Sequence, residues 1–579
     1  MELSIDSNRV LLTVGVEDYY QVGSFEGLIQ KEHWYRFETR IARNTTKALD
    51  LLEASGVRAT FFVLGWVADA MPEVVREIVR RGHEVASGGY WHRTIRQMSP
   101  EEFRDDLRRS REALERAAGV RAFGHRVPHF LRPSDLWALD VVAEEGYAYD
   151  SSVRPLGRHF AAEPWRHAVH RRPAGGRSLW EIPPSAVTLG GLALPVAGGN
   201  YFRQLPHTLV KPLVRLWHRR HTAPFVMYFH VWELDPEQPT LNTGSLLTRI
   251  RHYRNLDKMA WVLEDYFRTS RVQSIAEYLG LDPGPAVTAE PVPSVVPEVM
   301  PEVMPEVIMP ARLAPSPGRR VPVTLVVPCF NEERSLEYLA NTLRSVRVWL
   351  GRDYELAFVF VDDASTDGTW DLLHRLFDAR TDTTLLRHDN NRGVAAAILT
   401  GLRAAGTEIV CSFDCDCTYD PHGLAEMIPK LVEGVDLVTA SPYHPRGQVL
   451  NVPAWRLALS RGASRLYRIV LRQKLHTYTS CFRVYRRRAL ADLAVREDGF
   501  LGIAEMLARL DLQGSVVVEH PTTLEVRLLG QSKMKTLRSI AGHLRLLARL
   551  AALRLFGSRR QPGIQPADLR PSPSGAHHD

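Results

Sequence analysis

The chain has 579 residues, 45% hydrophobic and 24% charged, with 73 Lys and Arg against 66 Asp and Glu for a net charge of +7. That balance is globular and excludes a collagenous or wholly disordered chain, and the length allows more than one domain. No run of about 18 uncharged apolar residues predicts a membrane-spanning helix, and the start MELSIDSNRV predicts no signal peptide.

The first stretch reads as alternating strands and helices. VLLTVGVE is an apolar run, NTTKALDLLEAS an amphipathic one, RATFFVLG a buried strand, PEVVREIVRRG a helix and HEVASGG another strand. Then comes AEPVPSVVPEVMPEVMPEVIMPARLAPSPGRR, whose prolines recur about every four residues. Proline at that spacing blocks both helix and central strand, so 282–320 is expected to be an extended linker with a reach on the order of 100 Å. Beyond it VPVTLVVPCFN, ELAFVFVDDAS and EIVCSFDCD are apolar runs ending in acids or turn residues, with helical patterns between them. Such alternation predicts parallel sheets with sites at the carboxyl ends of the strands. The expected domains are 1–281 and 321–560, followed by a Pro/Ser/Gly-rich disordered tail, 561–579.

The charge has a location. Eight Lys or Arg and no acid lie between Lys533 and Arg560; without them the net charge would be −1. The chain is therefore no general nucleic-acid binder but carries one basic segment. SIAGHLRLLARLAALRLFGSRR within it reads as a basic amphipathic helix, suited to an anionic membrane surface or to packing on its own domain. All five cysteines lie in the second half and match no zinc ribbon or disulfide framework. A reducing cytoplasm is the expected home, with peripheral contact at the inner face of the membrane.

Residues 9–280 resemble polysaccharide deacetylases of carbohydrate esterase family 4, with NodB homology. The matching text is LLTVGVEDYYQVGSFE, ATFFVLGWVA, RGHEVASGGYWHR, RVPHF, YDSS, EIPPS, GGNYFR and MYFHVWELD. The resemblance implies a distorted (β/α) barrel and, in active members, metal-assisted removal of an N-acetyl group. It also implies where the chemistry would sit. The family's base Asp falls at Gly15, and the first His of its His-x-x-x-His falls at Gly88. The second His is His92, the late acid is His230, and Glu17 or Asp18 is left as an acidic ligand. A zinc site needs about three protein ligands plus an open position, and glycine can neither coordinate nor take a proton. The domain is therefore expected to be inactive or strongly weakened, its cleft kept for glycan binding, with zinc doubtful. The alternative is a second activity, N-deacetylation of an amino sugar.

In the second domain three acidic signatures end predicted strands: Asn331-Glu332-Glu333, Asp362-Asp363 and Asp414-Cys415-Asp416. Carboxylates grouped there suit a hard divalent cation that bridges diphosphate oxygens. Residues 321–540 resemble glycosyltransferase family 2, most of all the dolichyl- or polyprenyl-phosphate sugar transferases. The resemblance rests on VVPCFNEE, VDDASTDGT, NNRGVAAAILTGL, FDCDCTYDP, TSCFRVYRRRAL, GFLGIAEMLARL and RLLGQSKMK, in that order. It implies a GT-A fold and inverting transfer from a UDP- or GDP-sugar to a membrane-linked acceptor, polyprenyl phosphate or a glycan precursor, aided by Mg²⁺ or Mn²⁺. By the same carry-over Pro328, Asn331 and Glu333 line the nucleotide pocket, and Asp362 or Asp363 meets the base or ribose. Asp414 and Asp416 hold metal and diphosphate; Arg483, Arg527 and Lys533 meet phosphates; Glu505 is a base or acceptor-positioning residue. Cys415 stands where the family pattern has Ala, as a small buried residue or part of a soft-metal site. A non-catalytic scaffold is the remaining reading.

Overall fold

The computed structural model describes residues 8–153, 168–189, 192–242, 245–282, 284, 320–452, 454–530 and 536–556. All but three residues of the expected linker, the whole expected tail and Lys533 lie outside the described residues. The chain divides into two compact units, the first mainly Met1–Pro315 and the second mainly Ser316–Leu336 with Ser345–Arg527.

The first unit is built on β1 (Arg9–Val16), β2 (Thr60–Val63), β3 (Glu84–Ser87), β4 (Gly124–His125), β5 (Tyr149–Asp150), β6 (His170–Ala174) and β7 (Arg177–Glu181). A small hairpin, β8 (Ala186–Leu189) with β9 (Leu192–Pro195), precedes β10 (Phe225–His230) and β11 (Arg271–Gln273). The main sheet runs β10-β1-β2-β3-β4-β5-β7-β6, and β11 also pairs with β1. Every pairing but β6–β7 is parallel. Neighbours in space are thus mostly neighbours in sequence, as in a (β/α) barrel. No ladder joins β6 to β10 among the described residues. Near that gap the strands are tied by a looser link, Ser185 N to Val226 O at 3.0 Å and Val226 N to Ser185 Oγ at 2.9 Å. The barrel is distorted there. β1, β2 and β10 are largely apolar because helices cover their outer faces: TFFV is wholly buried. The helix Pro100–Ala118 starts with a capping box, Ser99 with Glu102, and ends on left-handed Gly119.

The second unit's strands are β12 (Val321–Cys329), β13 (Tyr354–Asp362), β14 (Thr383–Arg387), β15 (Ile409–Ser412), β16 (Leu437–Ser441), β17 (Gln448–Val449), β18 (Arg483–Arg486), β19 (Val517–Pro521) and β20 (Thr523–Leu524). The main sheet is ordered β14-β13-β12-β15-β18-β16-β19, with only β18 antiparallel to its neighbours. The chain steps outward from β12 through β13 to β14, then returns to the other side of β12 as β15. A crevice opens outside the carboxyl ends of β12 and β15, where the strand order reverses.

β12 is central yet carries Pro322 and Pro328. Its pairing with β15 covers only 323–326. Val321 N donates to Asp353 O on the β13 side, so even-numbered residues turn their nitrogens towards β15. The two prolines flank the stretch that β15 bonds, and neither removes a ladder bond. The helix Val394–Ala404 lies close on this sheet because position 401 is glycine. A Cβ there would stand 2.3 Å from Val326 Cγ1 and 3.2 Å from Val361 Cγ2.

Gly401→Val is therefore expected to destabilise the second unit by about 2 kcal/mol through overpacking. The measurement is the urea midpoint of that unit's unfolding in the full chain. An unchanged midpoint would mean that the helix can stand off the sheet at no cost.

Candidate active site

In the second unit the loops after β12 and β13 are cross-braced. Asn331 N donates to Ser365 Oγ (2.8 Å), Glu332 N to Thr369 Oγ1 (2.7 Å) and Glu333 N to Asp367 Oδ2 (3.4 Å). In return Asn331 Oδ1 accepts from Thr366 N (2.7 Å) and Glu333 Oε2 from Gly368 N (3.2 Å). Asn331 and Glu333, expected to line a nucleotide pocket, thus hold one loop to the other. Pro328 is buried in β12 beside them.

Asp363 is also committed. Its carboxylate accepts from Arg392 N (2.8 Å) and Gly393 N (2.6 Å) and meets His388 Nδ1 at 2.7 Å. Gly393 has φ +98°, and a Cβ there would lie 2.5 Å from Asp498 O; only glycine fits. Asp362 pairs with Arg387 (3.0 Å) and accepts from Ser365 N (3.3 Å). Both aspartates are fully buried. Their carboxylates shape the turns around the crevice.

The carboxylates that do gather are Glu332, Asp414 and Asp416. Arg527 pairs with Glu332 and stands 3.5 Å from Asp416 Oδ2. Cys481 Sγ donates to Asp414 Oδ2 at 2.5 Å. The Asp414 carboxyl is pushed up to about 7, first by burial, then by Asp416 and Glu332, against the pull of Cys481 and Arg527. Two neighbouring carboxylates thus add to burial in disfavouring its charged form. Sequence reasoning assigned Asp414, Asp416 and Arg527 but not Glu332 or Cys481. Glu332 was legible as the middle of Asn331-Glu332-Glu333; Cys481 had no signal.

Two expected roles fail on geometry. Arg483 is buried to 0% exposure and spends its guanidinium on Ile503 O and Tyr478 O, both at 2.9 Å. It fastens β18 to neighbouring backbone, so its donors are committed within the fold. Glu505 is 1% exposed. Its Oε2 accepts from Arg496 N (3.0 Å) and Glu497 N (2.8 Å), while Oε1 takes both Arg509 donors (2.8 and 2.7 Å). It is no free base. It holds the 496–498 loop, whose Asp498 O accepts from Ala395 N and Ala396 N at the start of Val394–Ala404. Cys329, Cys411, Cys415, Cys417 and Cys481 are all buried free thiols. Among the described residues no group of three or more His, Cys, Asp or Glu is arranged to hold a metal ion.

In the first unit the carboxyl ends of β1, β3, β4 and β10 line a cavity of about 120 Å³, with Glu17, His92, Arg126 and His230 on its wall. Glu17 sits between two imidazoles: Oε2 is 2.5 Å from His92 Nε2, and Oε1 is 2.8 Å from His230 Nδ1. Trp232 Nε1 also donates to Oε1 at 3.4 Å. Gly15 pairs in register with His230, and a Cβ at 15 would stand 2.4 Å from His230 Nδ1. The imidazole occupies the room that a base at position 15 would need. At Gly88 the nearest atoms to a Cβ are 3.4 Å away, an ordinary contact. Asp18 does not join the site. It is fully buried, accepts from Thr39 Oγ1, Arg40 N and Tyr19 N (2.8, 2.8 and 3.1 Å), and burial pushes it up to about 7. Of the two candidate acids, only Glu17 faces His92.

Burial raises the Glu17 carboxyl, but His230 and His92 outweigh it and leave it well below its ordinary 4.5. Burial lowers His230, but Glu17 outweighs that and leaves it above its ordinary 6.5. Glu17 therefore contributes stability above pH 4.5 that is lost as acid titrates it in the folded state. His230 contributes stability below pH 6.5 that is lost as pH rises through its folded value. The first unit is expected to gain most from this cluster between pH 4.5 and 6.5, and His230→Gln to remove the alkaline loss. Urea unfolding across that range checks it; an alkaline limb unchanged in the variant would dismiss the pairing as a stability term.

Three family models match the chain: polysaccharide deacetylase over residues 29–149, the domain of unknown function DUF3473 over 151–280, and glycosyl transferase family 2 over 324–494. The deacetylase resemblance, carried to residue 280 on the sequence, thus divides at about residue 150. The dolichol-phosphate mannosyltransferase of Pyrococcus furiosus is 30% identical over 234 residues, 39% of this chain and 63% of that protein. The chain thus spans less than two thirds of that relative's length. The polyprenol monophosphomannose synthase of Mycolicibacterium smegmatis is 31% identical over 217 residues, 36% of this chain and 80% of that protein. A solved Mycobacterium smegmatis protein described as a polysaccharide deacetylase aligns over 50% of this chain and 99% of its own, at 20% identity and a TM-score of 0.32. At that score the likeness says nothing of activity. Through the match that runs from β12 across the carboxylate-bearing strand ends to β18, the chain belongs to glycosyltransferase family 2.

Proposed function

We propose that the chain transfers a hexose from a nucleotide-sugar to the phosphate of a polyprenyl carrier. The observation that carries this reading is the gathering of Glu332, Asp414 and Asp416 about Arg527 at the carboxyl ends of β12 and β15. The names of the two relatives favour mannose as the sugar and a polyprenyl-type phosphate as the acceptor.

A divalent cation fits the residues present. Asp414 and Asp416 are hard oxygen donors, and the Asp414 carboxyl is raised by burial and then by Asp416 and Glu332 beside it, both of which a bound cation would offset. Mg²⁺ and Mn²⁺ commonly take one or two carboxylates and complete their shell with substrate phosphates and water, so no closed protein cage is required. When bound, such an ion supplies charge to a leaving nucleoside diphosphate. The protein's own residues do the rest. Arg527 offers a fork of donors to phosphate oxygens. The Asn331–Thr369 bracing keeps the two loops of the crevice from spreading. An acceptor phosphate oxygen attacks the anomeric carbon, the bond from that carbon to the diphosphate oxygen breaks, and the nucleoside diphosphate leaves. The acceptor is already anionic near neutral pH. No strong base is needed, in keeping with Glu505 being fully occupied.

The first unit is read as a deacetylase-like fold that no longer deacetylates but keeps its cavity for a glycan. It lacks a base at position 15, and His230 fills that space. The second reading, a two-activity enzyme, is favoured only by the survival of Glu17, His92 and His230 together.

No helix among the described residues is long and apolar enough to cross a membrane. A peripheral site at the inner face of the membrane accompanies the reading. The helix Thr536–Phe556 has no acid and exposes Leu544, Leu553, Leu555 and Phe556. It packs on Ala454–Val470, with Arg554 Nη1 donating to Val470 O at 2.6 Å.

The test is sugar transfer by the full chain to polyprenyl phosphate in detergent, across UDP- and GDP-sugars with Mg²⁺ or Mn²⁺. Asp414→Asn with Asp416→Asn is expected to lower the rate by about 10²–10³ with folding intact, the scale of losing preorganised electrostatic groups. Transfer at parental rate by that variant would dismiss the site. For the first unit, no acetate release from N-acetylated glycans is expected, with or without added Zn²⁺. Metal-dependent release that disappears in His230→Ala would establish the two-activity reading instead.

A further inference from the structure

The first unit carries an apolar face that its own fold does not use. Leu205, Leu209, Leu246, Leu247, Ile250 and Trp261 are exposed to 38%, 61%, 70%, 71%, 39% and 46%. They come from the helices His207–Arg220, Leu246–Tyr253 and Met259–Thr269, and Leu205 from the end of the helix Gly199–Gln204. Polar bonds stitch these elements into one surface. Gln204 Nε2 donates to Ile250 O (3.1 Å), Lys258 Nζ donates to Leu205 O (2.7 Å), and the His207 ring meets Trp261 edge-on at 5.3 Å. Single exposed apolar side chains need no explanation, but six large ones on adjoining elements do. The helix Leu246–Tyr253 buries only His252 and turns its leucines to water.

The charges around this face have one predominant sign. The helix His207–Arg220 carries Lys211, Arg215, Arg219 and Arg220, and Leu246–Tyr253 carries Arg249 and Arg251; neither contains an acid. Of the acids at the border, Asp265 is taken by Lys211 (2.5 Å) and His207 (2.8 Å), which leaves Asp257 and Glu264. Arg249, Arg251 and Arg254 pair with no acid among the described residues. Leucines and a tryptophan ringed by unpaired arginines make the composition of a surface that lies in a lipid interface, where the apolar side chains reach the acyl boundary and the cations meet anionic headgroups. A nucleic acid would use the arginines but leave the leucines in water.

We propose that this face of the first unit docks on an anionic lipid surface. The inference adds a second lipid contact to the reading above, which expects a lipid-borne acceptor, but it does not depend on the carboxylate site.

The test is co-sedimentation of the full chain with vesicles of phosphatidylcholine, with and without phosphatidylglycerol. Binding is expected only with the anionic lipid and is expected to weaken as salt rises. Leu246→Glu with Leu247→Glu is expected to weaken it at least about tenfold, and Arg249→Gln with Arg251→Gln by roughly fivefold per cation. Thermal melts confirm that both variants fold. Transfer to a short, water-soluble prenyl phosphate should be unchanged in both; its absence in the parent would count against the transferase reading and leave the vesicle result standing. Equal vesicle binding by parent and leucine variant overturns the proposal. So does a parent dimer in light scattering that the leucine variant dissociates, which would assign the face to a second copy of the chain.

Discussion

Carboxylates buried at the ends of parallel strands are the constraint on which both units turn. A carboxylate lifted out of water beside another is costly unless something positive or proton-bearing answers it. In the second unit the answers are Arg527, paired with Glu332 and close to Asp416, and the Cys481 thiol on Asp414. In the first they are His92 and His230, one on each oxygen of Glu17. The sheets supply the crowding, because parallel strands end together, and the loops beyond them bring the compensating groups.

Much of the surrounding polar chemistry serves to hold those loops still. Asp363 and Glu505 are the plainest cases. One fixes the turn that enters Val394–Ala404 from in front, the other fixes the loop that caps it from outside. On the sequence Asp363 reads as a base or ribose contact and Glu505 as a base or acceptor-positioning residue, since an acid at a strand end or in a motif-bearing helix looks the same whether it faces a substrate or its own backbone. Their carboxylates are saturated by N–H and guanidinium donors, which is how a buried acid becomes a structural element.

The division of labour between sequence and structure follows from this. The strands and the crevice were legible because buried parallel strands are uniformly apolar and end in acids or turns, as TFFV, VTLVV and FVFVDD do. Asp414 and Asp416 stood out as an acid pair at the end of an apolar strand, and Arg527 only through the family resemblance. What was not legible is direction. Asp18 and Glu17 are adjacent and equally acidic, yet backbone alternation sends one into a buried turn and the other into the cavity. Arg483 lies in a phosphate-like motif, yet it points into the core, where only its backbone partners could reveal it. Cys481 became visible only through the 2.5 Å contact it makes across 67 residues of chain.

Gly15 and His230 lie side by side in register, and the imidazole stands where the side chain of residue 15 would begin. Any side chain introduced at position 15 must therefore displace the ring first, and displacing it breaks the contact between His230 and Glu17. The two positions are coupled: an acid at 15 and the present place of His230 exclude one another, so installing a base there takes two coordinated changes rather than one.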